Sequence, residues 1–308
     1  MENWPTHLNS VLTFIAIVTA VAPLLTLRRR GRKKAAPSGH VAAGDQYSEL
    51  RMYDRALLEY QNAADLEPGE ALNHDKKAQA LAKLGRYEEA LDENIQAVAL
   101  EPKVAQYHYN KGTTLYYLKR YKGAELEMKR ALRRKRRSAE YHNGLGVVLD
   151  AMGRRGEAMA SYGKAIALDS KYVKAYYNRG NAYYNMGEYE KAIADYDRAI
   201  ALDSNYVKAY NNRGNAYDDI GEYEKAIADY DKAIELDAKY AAAYNNRGVA
   251  YRHMGEYEKA IADYDKAIEL KPDLALAYYN RGITYARMGD TAAAEADRAR
   301  ARELGGKP

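Results

Sequence analysis

A period of 34 residues runs through most of this chain. The sequence of Tyr176 to Tyr183, Tyr-Tyr-Asn-Arg-Gly-Asn-Ala-Tyr, returns in nearly the same form from Tyr210, Tyr244 and Tyr278. Such a period is typical of folds in which one small motif is stacked many times, and it therefore constrains the fold more than any other feature. It divides the sequence into eight repeats: 37–70, 71–104, 105–138, 139–172, 173–206, 207–240, 241–274 and 275–308.

Each repeat reads as two helices, which we call its first and second helix. In the fifth repeat, Ala175, Arg179 and Ala182 share one face of a 3.6-residue period. Gly187 interrupts the pattern, and a second apolar face begins soon after it. A single helical hairpin cannot bury its apolar face alone, whereas stacked hairpins share one continuous core.

These residues resemble the tetratricopeptide repeat family. The resemblance covers residues 37–308 and implies an all-α protein, a right-handed α-solenoid of eight helix-turn-helix repeats. It also implies that the first helices line a concave groove. The small residue of the first helix is Gly146, Gly180, Gly214, Gly248 and Gly282; the alanines of the second helix are Ala158, Ala192, Ala226, Ala260 and Ala294, followed by Ala165, Ala199, Ala233, Ala267 and Ala301.

Composition narrows the function classes. The 308 residues include no Cys, which excludes disulfides and thiol nucleophiles. No catalytic group of residues emerges, and anchor and repeats leave no room for a catalytic domain, so we expect a protein that is not an enzyme and has no cofactor. Tyr is abundant, at 31 against one Phe, and most of these rings fall at core positions of the repeats.

Four histidines occupy the same place in successive repeats: His40, His74, His108 and His142. Neighbouring repeats stack about 10 Å apart, whereas both nitrogen ligands of one zinc ion must lie within about 2.1 Å of it. We therefore expect no metal site and interpret the histidines as packing substitutes for the tyrosine of later repeats.

Residues 1–36 precede the repeats and follow another pattern. From Leu8 to Leu27 the sequence has no charged residue, and 20 residues are enough for a helix that crosses a membrane. The leader before this segment has no Lys or Arg, which argues against a cleaved signal peptide. We expect a retained span over about residues 8–27, flanked by Trp4, Arg28, Arg29, Arg30, Arg32, Lys33 and Lys34.

The six flanking cations set the expected orientation. The positive-inside rule places the N-terminus outside and the repeats in the cytoplasm. The wording of the repeats favours a prokaryotic cytoplasmic membrane. The predicted localisation is thus that of a single-pass membrane protein.

Charge is uneven along the repeats. The third repeat carries eleven cations against Glu125 and Glu127. Its densest part is a patch for an anionic partner: Arg133, Arg134, Lys135, Arg136 and Arg137. A solvated run, whose charge suits a helix C-terminus, is the alternative; a membrane surface and a nucleic acid are further alternatives, although no nucleic-acid-binding motif accompanies the charge.

The concave groove is the expected binding site for a protein or peptide. Asparagine recurs two residues before the first-helix glycine, and its amide both donates and accepts, which suits the backbone of an extended peptide. The alternative is that Asn is a common choice at this place. The predicted groove residues are Asn110, Asn178, Asn212, Asn246 and Asn280, with Tyr109, Tyr116, Tyr117, Tyr177, Tyr184 and Tyr279.

The sequence therefore predicts a membrane-tethered scaffold that binds partner proteins in its groove. One alternative is a structural protein that self-associates into homo-oligomers through its charge asymmetry. Another is an adaptor for anionic surfaces or nucleic acids that works through the third repeat. The sequence does not identify the partner.

Overall fold

The computed structural model describes residues 37–305, which form sixteen α-helices and no strand. Between Arg136 and Arg137 the chain divides into two compact bodies. The N-terminal body contains α1 (Pro37–Glu49), α2 (Tyr53–Leu66), α3 (Ala71–Lys83), α4 (Tyr87–Leu100), α5 (Ala105–Tyr117) and α6 (Tyr121–Arg134).

The C-terminal body is built in the same way from ten helices. They are α7 (Ala139–Ala151), α8 (Arg155–Leu168), α9 (Val173–Asn185), α10 (Tyr189–Leu202), α11 (Val207–Asp219), α12 (Tyr223–Leu236), α13 (Ala241–His253), α14 (Tyr257–Leu270), α15 (Ala275–Met288) and α16 (Thr291–Glu303). The helices confirm the predicted all-α class. The right hand of the solenoid and the number of eight repeats stay predictions.

A left-handed residue ends most first helices. Glycine holds this place at Gly85, Gly153, Gly187, Gly221, Gly255 and Gly289, with φ between 74° and 87°. The following N–H bonds back to a carbonyl of the last helical turn, as from Glu188 to Tyr183 at 3.0 Å. This bond is typical of glycine-terminated helices. Arg51 and Lys119 adopt the same conformation, with φ of 57° and 58°, although side chains disfavour it.

Close helix approach explains the other repeated glycines. A Cβ added to Gly146, Gly180, Gly214 or Gly248 would lie between 2.5 and 2.7 Å from a ring carbon of a tyrosine on the second helix. These tyrosines are at most 2% exposed: Tyr162, Tyr196, Tyr230 and Tyr264. The core of each hairpin is therefore a ring lying directly on a helix backbone, surrounded by fully buried alanines such as Ala192 and Ala199.

Within each body the first helices lie on the inner side. Every hairpin packs its two helices together, and first helices of successive hairpins also contact one another, as α1 does α3 and α11 does α13. Such contacts occur where a curved stack is narrowest. The inner face of each body is thus formed by first helices, as the sequence predicts.

The predicted membrane localisation is wrong on the evidence of the described helices. Within residues 37–305 no helix has the length and apolar character needed to cross a bilayer. The longest have 14 residues, or about 21 Å at 1.5 Å per residue, where a span needs about 20 apolar residues. The segment 8–27 on which the prediction rested lies outside the described residues. The same holds for its flanking residues, Trp4, Arg28, Arg29, Arg30, Arg32, Lys33 and Lys34.

Candidate partner-binding face

The asparagines of the inner face bond to the preceding first helix. Asn178 donates from Nδ2 to Oδ1 of Asn143 at 3.0 Å, and Asn280 donates to Asn245 at 3.0 Å. These bonds join α7 to α9 and α13 to α15. The predicted asparagine array therefore holds neighbouring first helices at a fixed spacing.

Two asparagines in the middle of the array bind two acceptors each. Asn212 donates to the hydroxyl of Tyr177 at 3.1 Å and to Oδ1 of Asn181 at 2.9 Å. Asn246 repeats the arrangement one hairpin later, with Asn211 at 3.1 Å and Asn215 at 2.9 Å as acceptors. Their amide hydrogens are thus engaged inside the protein, which the sequence alone does not reveal.

The N-terminal body contains one asparagine of the array, with a charged acceptor. Asn110 donates to Oδ1 of Asp75 at 2.7 Å and accepts from Gln106 at 2.9 Å. Burial raises the pKa of Asp75, and the hydrogen bonds from Asn110 and Gln79 only partly offset this rise. Lys76 occupies the place of the asparagine in the second repeat and bonds to Asp45 at 2.7 Å.

The predicted tyrosines of the N-terminal body form a small aromatic cluster. Tyr117 is 54% exposed, and its ring stacks on Tyr87 with centroids 4.9 Å apart. Tyr116 packs edge-on against Tyr117 at 5.5 Å. Tyr109 lies further along α5 and is partly exposed. The cluster presents aromatic surface at the C-terminal end of α5.

In the C-terminal body, Tyr177 and Tyr184 are partly exposed and held by contacts on their inner sides. Tyr177 lies 4.9 Å from the ring of Tyr206, and burial raises the pKa of Tyr206 to about 12. Tyr184 donates a hydrogen bond to Asp219, and burial together with this carboxylate raises its pKa. Tyr279 is also partly exposed, on α15.

A cavity of about 190 Å³ opens beside Tyr184 and is lined by Asp218 and Asp219. His253 approaches Oδ1 of Asp218 through Nδ1 at 3.1 Å. Burial raises the pKa of Asp218, while the charges of His253 and Arg252 oppose this shift. This edge of the inner face therefore alternates in charge from one first helix to the next.

The basic residues of the third repeat are exposed. Arg133 and Arg134 end α6, and Lys135, Arg136 and Arg137 follow the helix. Arg134 donates from Nη1 to the carbonyl of Arg130 at 2.9 Å. Their position agrees with favourable charge at a helix C-terminus, and binding of an anionic partner stays a prediction.

A series of ion pairs that was not predicted from the sequence crosses the hairpins. The seventh residue of a repeat, on its first helix, pairs with the acid sixteen residues later on its second helix. Arg179 forms a bidentate pair with Asp195, with both N–O distances at 2.7 Å. The other pairs are Lys77–Glu93, Lys111–Glu127, Arg213–Asp229, Arg247–Asp263 and Arg281–Asp297. The recurring spacing of opposite charges is the signal that could have predicted it.

The first three histidines are more than packing substitutes, and that interpretation is corrected. Nδ1 of His108 lies 2.6 Å from Oε2 of Glu127, and its Nε2 lies 3.0 Å from the carbonyl of Pro102. His74 makes the same two contacts with Glu93 and Pro68, and His40 contacts Glu59 at 2.6 Å. A phenol reaches only the carbonyl, as Tyr278 does to Pro272 at 3.4 Å. Histidine at this place therefore adds a polar bond between the two helices.

Comparisons with known proteins agree with the helical hairpins. A family model described as "TPR repeat" matches residues 151–187 and 250–289, and models described as "Tetratricopeptide repeat" match residues 76–139, 173–206, 207–240 and 229–262. The search of the curated proteins finds no match.

Similar solved structures include three titled with the name MamA. "Crystal structure of MamA" is 31% identical, covers 52% of this chain and 94% of that chain, and has a TM-score of 0.48. "Crystal structure of MamA protein" is 30% identical, covers 56% and 93%, and has a TM-score of 0.48. "MamA RS-1 ArsTM double mutant" is 23% identical, covers 54% and 94%, and has a TM-score of 0.49. The matched repeats and the hairpins they form show that this chain belongs to the tetratricopeptide repeat family.

Proposed function

We propose that this chain is a scaffold without enzymatic activity that holds an extended segment of a partner protein along the inner face of its first helices. Tetratricopeptide repeats and an all-helical fold are typical of protein-interaction scaffolds, because stacked repeats create long concave surfaces. The observation that carries the proposal is the fixed, polar and aromatic character of the inner face of the C-terminal body.

The internal hydrogen bonds support binding in an indirect way. Because Asn212 and Asn246 are already bonded to the preceding helix, their side chains do not have to be ordered when a partner arrives. Preorganisation of this kind lowers the entropic cost of binding. The amide oxygen of Asn178, which has no hydrogen bond to another of residues 37–305, is the proposed acceptor for a partner's backbone N–H.

The tyrosines supply the contact area. Tyr184 and Tyr279 are partly exposed on α9 and α15. Tyrosine buries a large amphipathic surface on binding and loses few rotamers in doing so. The proposal therefore assigns recognition of the partner to the rings and the spacing of the helices to the asparagines.

Selection of a random peptide library against the purified chain tests the proposal. Selected peptides should bind with affinities that fall roughly tenfold, or about 1.4 kcal/mol, in Tyr184→Ala and Tyr279→Ala. Glu224→Ala and Lys259→Ala, at exposed positions on the outer helices α12 and α14, serve as controls and should bind normally. Binding that is insensitive to both tyrosines, or lost with the outer variants instead, would contradict the proposal.

A further inference from the structure

The buried tyrosines of the C-terminal body differ in one respect. Tyr196 donates to Oδ1 of Asn181 at 2.7 Å, and Tyr230 donates to Oδ1 of Asn215 at 2.9 Å. Tyr264 is fully buried, and its hydroxyl has no hydrogen-bond partner among residues 37–305. The reason is a single replacement: Val249 stands where Asn181 and Asn215 provide the acceptor.

A second unpartnered donor belongs to Arg252, three residues after Val249 on α13. Its Nε is buried and makes no hydrogen bond to any described residue. Its Nη2 points to another nitrogen, Nε2 of His253, at 3.4 Å. Of the described carboxylates, none lies within ion-pair distance of Arg252, in contrast to the bidentate pair of Arg247 with Asp263.

The repeat pattern places a second cation beside Arg252. Near the end of the first helices, side chains 35 residues apart meet across neighbouring hairpins: Tyr184 bonds to Asp219, and Asp218 bonds to His253. The next pair in this series is Arg252 and Arg287. Arg287 is exposed, and no carboxylate among residues 37–305 forms an ion pair with it. Complementary pairs thus give way to two like charges.

We propose that Arg252 and Arg287, with the hydroxyl of Tyr264 beside them, form a subsite for a carboxylate side chain in an acidic segment of the partner. This proposal rests on the proposed binding of a partner along the inner face and adds the chemistry of that partner. All the unsatisfied groups are donors, and two of them carry positive charge. A carboxylate matches the planar guanidinium with two parallel hydrogen bonds.

Calorimetric titration of the purified full chain tests the subsite with defined probes. The probes are capped peptides of four Gly-Glu pairs and of four Gly-Gln pairs, at physiological salt. The glutamate peptide should bind roughly tenfold more tightly than the glutamine peptide. Arg252→Gln and Arg287→Gln should each remove most of this preference, and Arg198→Gln, an exposed position on the outer helix α10, should keep it.

A repair variant separates a built subsite from general charge attraction. Val249→Asn restores the acceptor that Asn181 and Asn215 provide and so engages the hydroxyl of Tyr264. It leaves the net charge unchanged, yet it should reduce the glutamate preference severalfold. Circular dichroism and thermal melting of every variant confirm that the helices are retained.

Several outcomes would overturn the subsite. They are equal affinity for the two peptides, equal losses in Arg252→Gln and Arg198→Gln, and displacement of the glutamate peptide by millimolar inorganic phosphate, which would make the ligand a phosphate. If the glutamine peptide binds and depends on Tyr184 and Tyr279 while the glutamate preference is absent, the subsite fails and the proposed function stands. If neither peptide binds at millimolar concentration, the subsite fails, and the peptide library decides the proposed function separately.

Discussion

Gly180 lies so close to the ring of Tyr196 that an added methyl carbon would be 2.7 Å from the nearest ring atom. Because that tyrosine is fully buried, it has no free space in which to move aside. The same pairing of a glycine with a large ring recurs in the neighbouring hairpins. At the residue scale, the absence of one side chain therefore sets the distance between the two helices of a hairpin.

We predict that Gly180→Ala lowers the free energy of unfolding by about 1 to 3 kcal/mol, the usual cost of overpacking a core. Chemical denaturation followed by circular dichroism measures this difference. The matched control is Gly163→Ala in the middle of α8, where an added Cβ meets nothing within 4 Å. Because alanine is the better helix former, this control should stabilise the protein by about 0.5 to 1 kcal/mol. Equal effects at the two positions would contradict the close-contact explanation.

Residues that obey the period are the ones that the sequence predicts correctly. Gly180 and Ala192 recur at fixed places, and their spacing alone identifies the contacts between helices. The polar role of His108 escaped prediction because its partner, Glu127, is on another helix and neither residue persists through the later repeats. The unpartnered hydroxyl of Tyr264 was equally hidden, since the missing acceptor is a change at Val249.

At the scale of the helices, the pair between His108 and Glu127 joins α5 to α6. Burial pushes the pKa of Glu127 upward, but the hydrogen bond from His108 and the charges of Lys111 and Arg130 outweigh it, so that the pKa lies below its ordinary value. A carboxyl group with a lowered pKa stabilises the fold when it is ionised. Its contribution is complete above the unfolded pKa of about 4.3 and disappears as the pH falls through the folded value.

We therefore predict that Glu127→Gln is less stable than the wild type at pH 6 and that the difference shrinks as the pH falls below about 4.3. Urea denaturation at a series of pH values measures it. Glu190→Gln, at an exposed position in the first turn of α10, is the control and should show little pH-dependent difference. A constant difference between wild type and Glu127→Gln across the series would show that the carboxyl group does not act through its charge.

The asparagine contacts show where prediction from sequence stops at this scale. The period places Asn178, Asn212 and Asn246 on one face, and the structure confirms that face. It does not tell whether an amide points to solvent or to the preceding helix, because Asn can donate and accept in both settings. Only the positions of the acceptors, such as Asn143 and Asn215, settle this point.

At the scale of the whole molecule, the last helix presents a polar outer face. Glu295, Arg298 and Arg302 are exposed on α16, where apolar residues stand in earlier second helices. A charged face of this kind disfavours the stacking of another hairpin. We predict that residues 37–308 form a monomer whose mass by light scattering does not change with concentration. A mass that rises with concentration would favour the alternative of a self-assembling protein.

The wrong prediction of a membrane localisation also belongs to this scale. An apolar stretch of 20 residues suggested a membrane protein, and the localisation followed from that one segment rather than from the repeats. The helices that the structure describes are short and amphipathic, which the repeat period itself implies. A pattern that recurs many times along the chain was thus a better guide than one segment without an internal comparison.

The asparagine array has a consequence for how such a chain changes its length. Each bond of Asn246 joins it to a partner 31 or 35 positions away, and Asn212 repeats these spacings, so donor and acceptor keep the same places from one repeat to the next. Insertion or removal of 34 residues between α10 and α13 would bring an equivalent donor opposite an equivalent acceptor. Gene duplication or deletion in this region would therefore preserve the hydrogen bonding, and the reach of the binding face could evolve in steps of one hairpin.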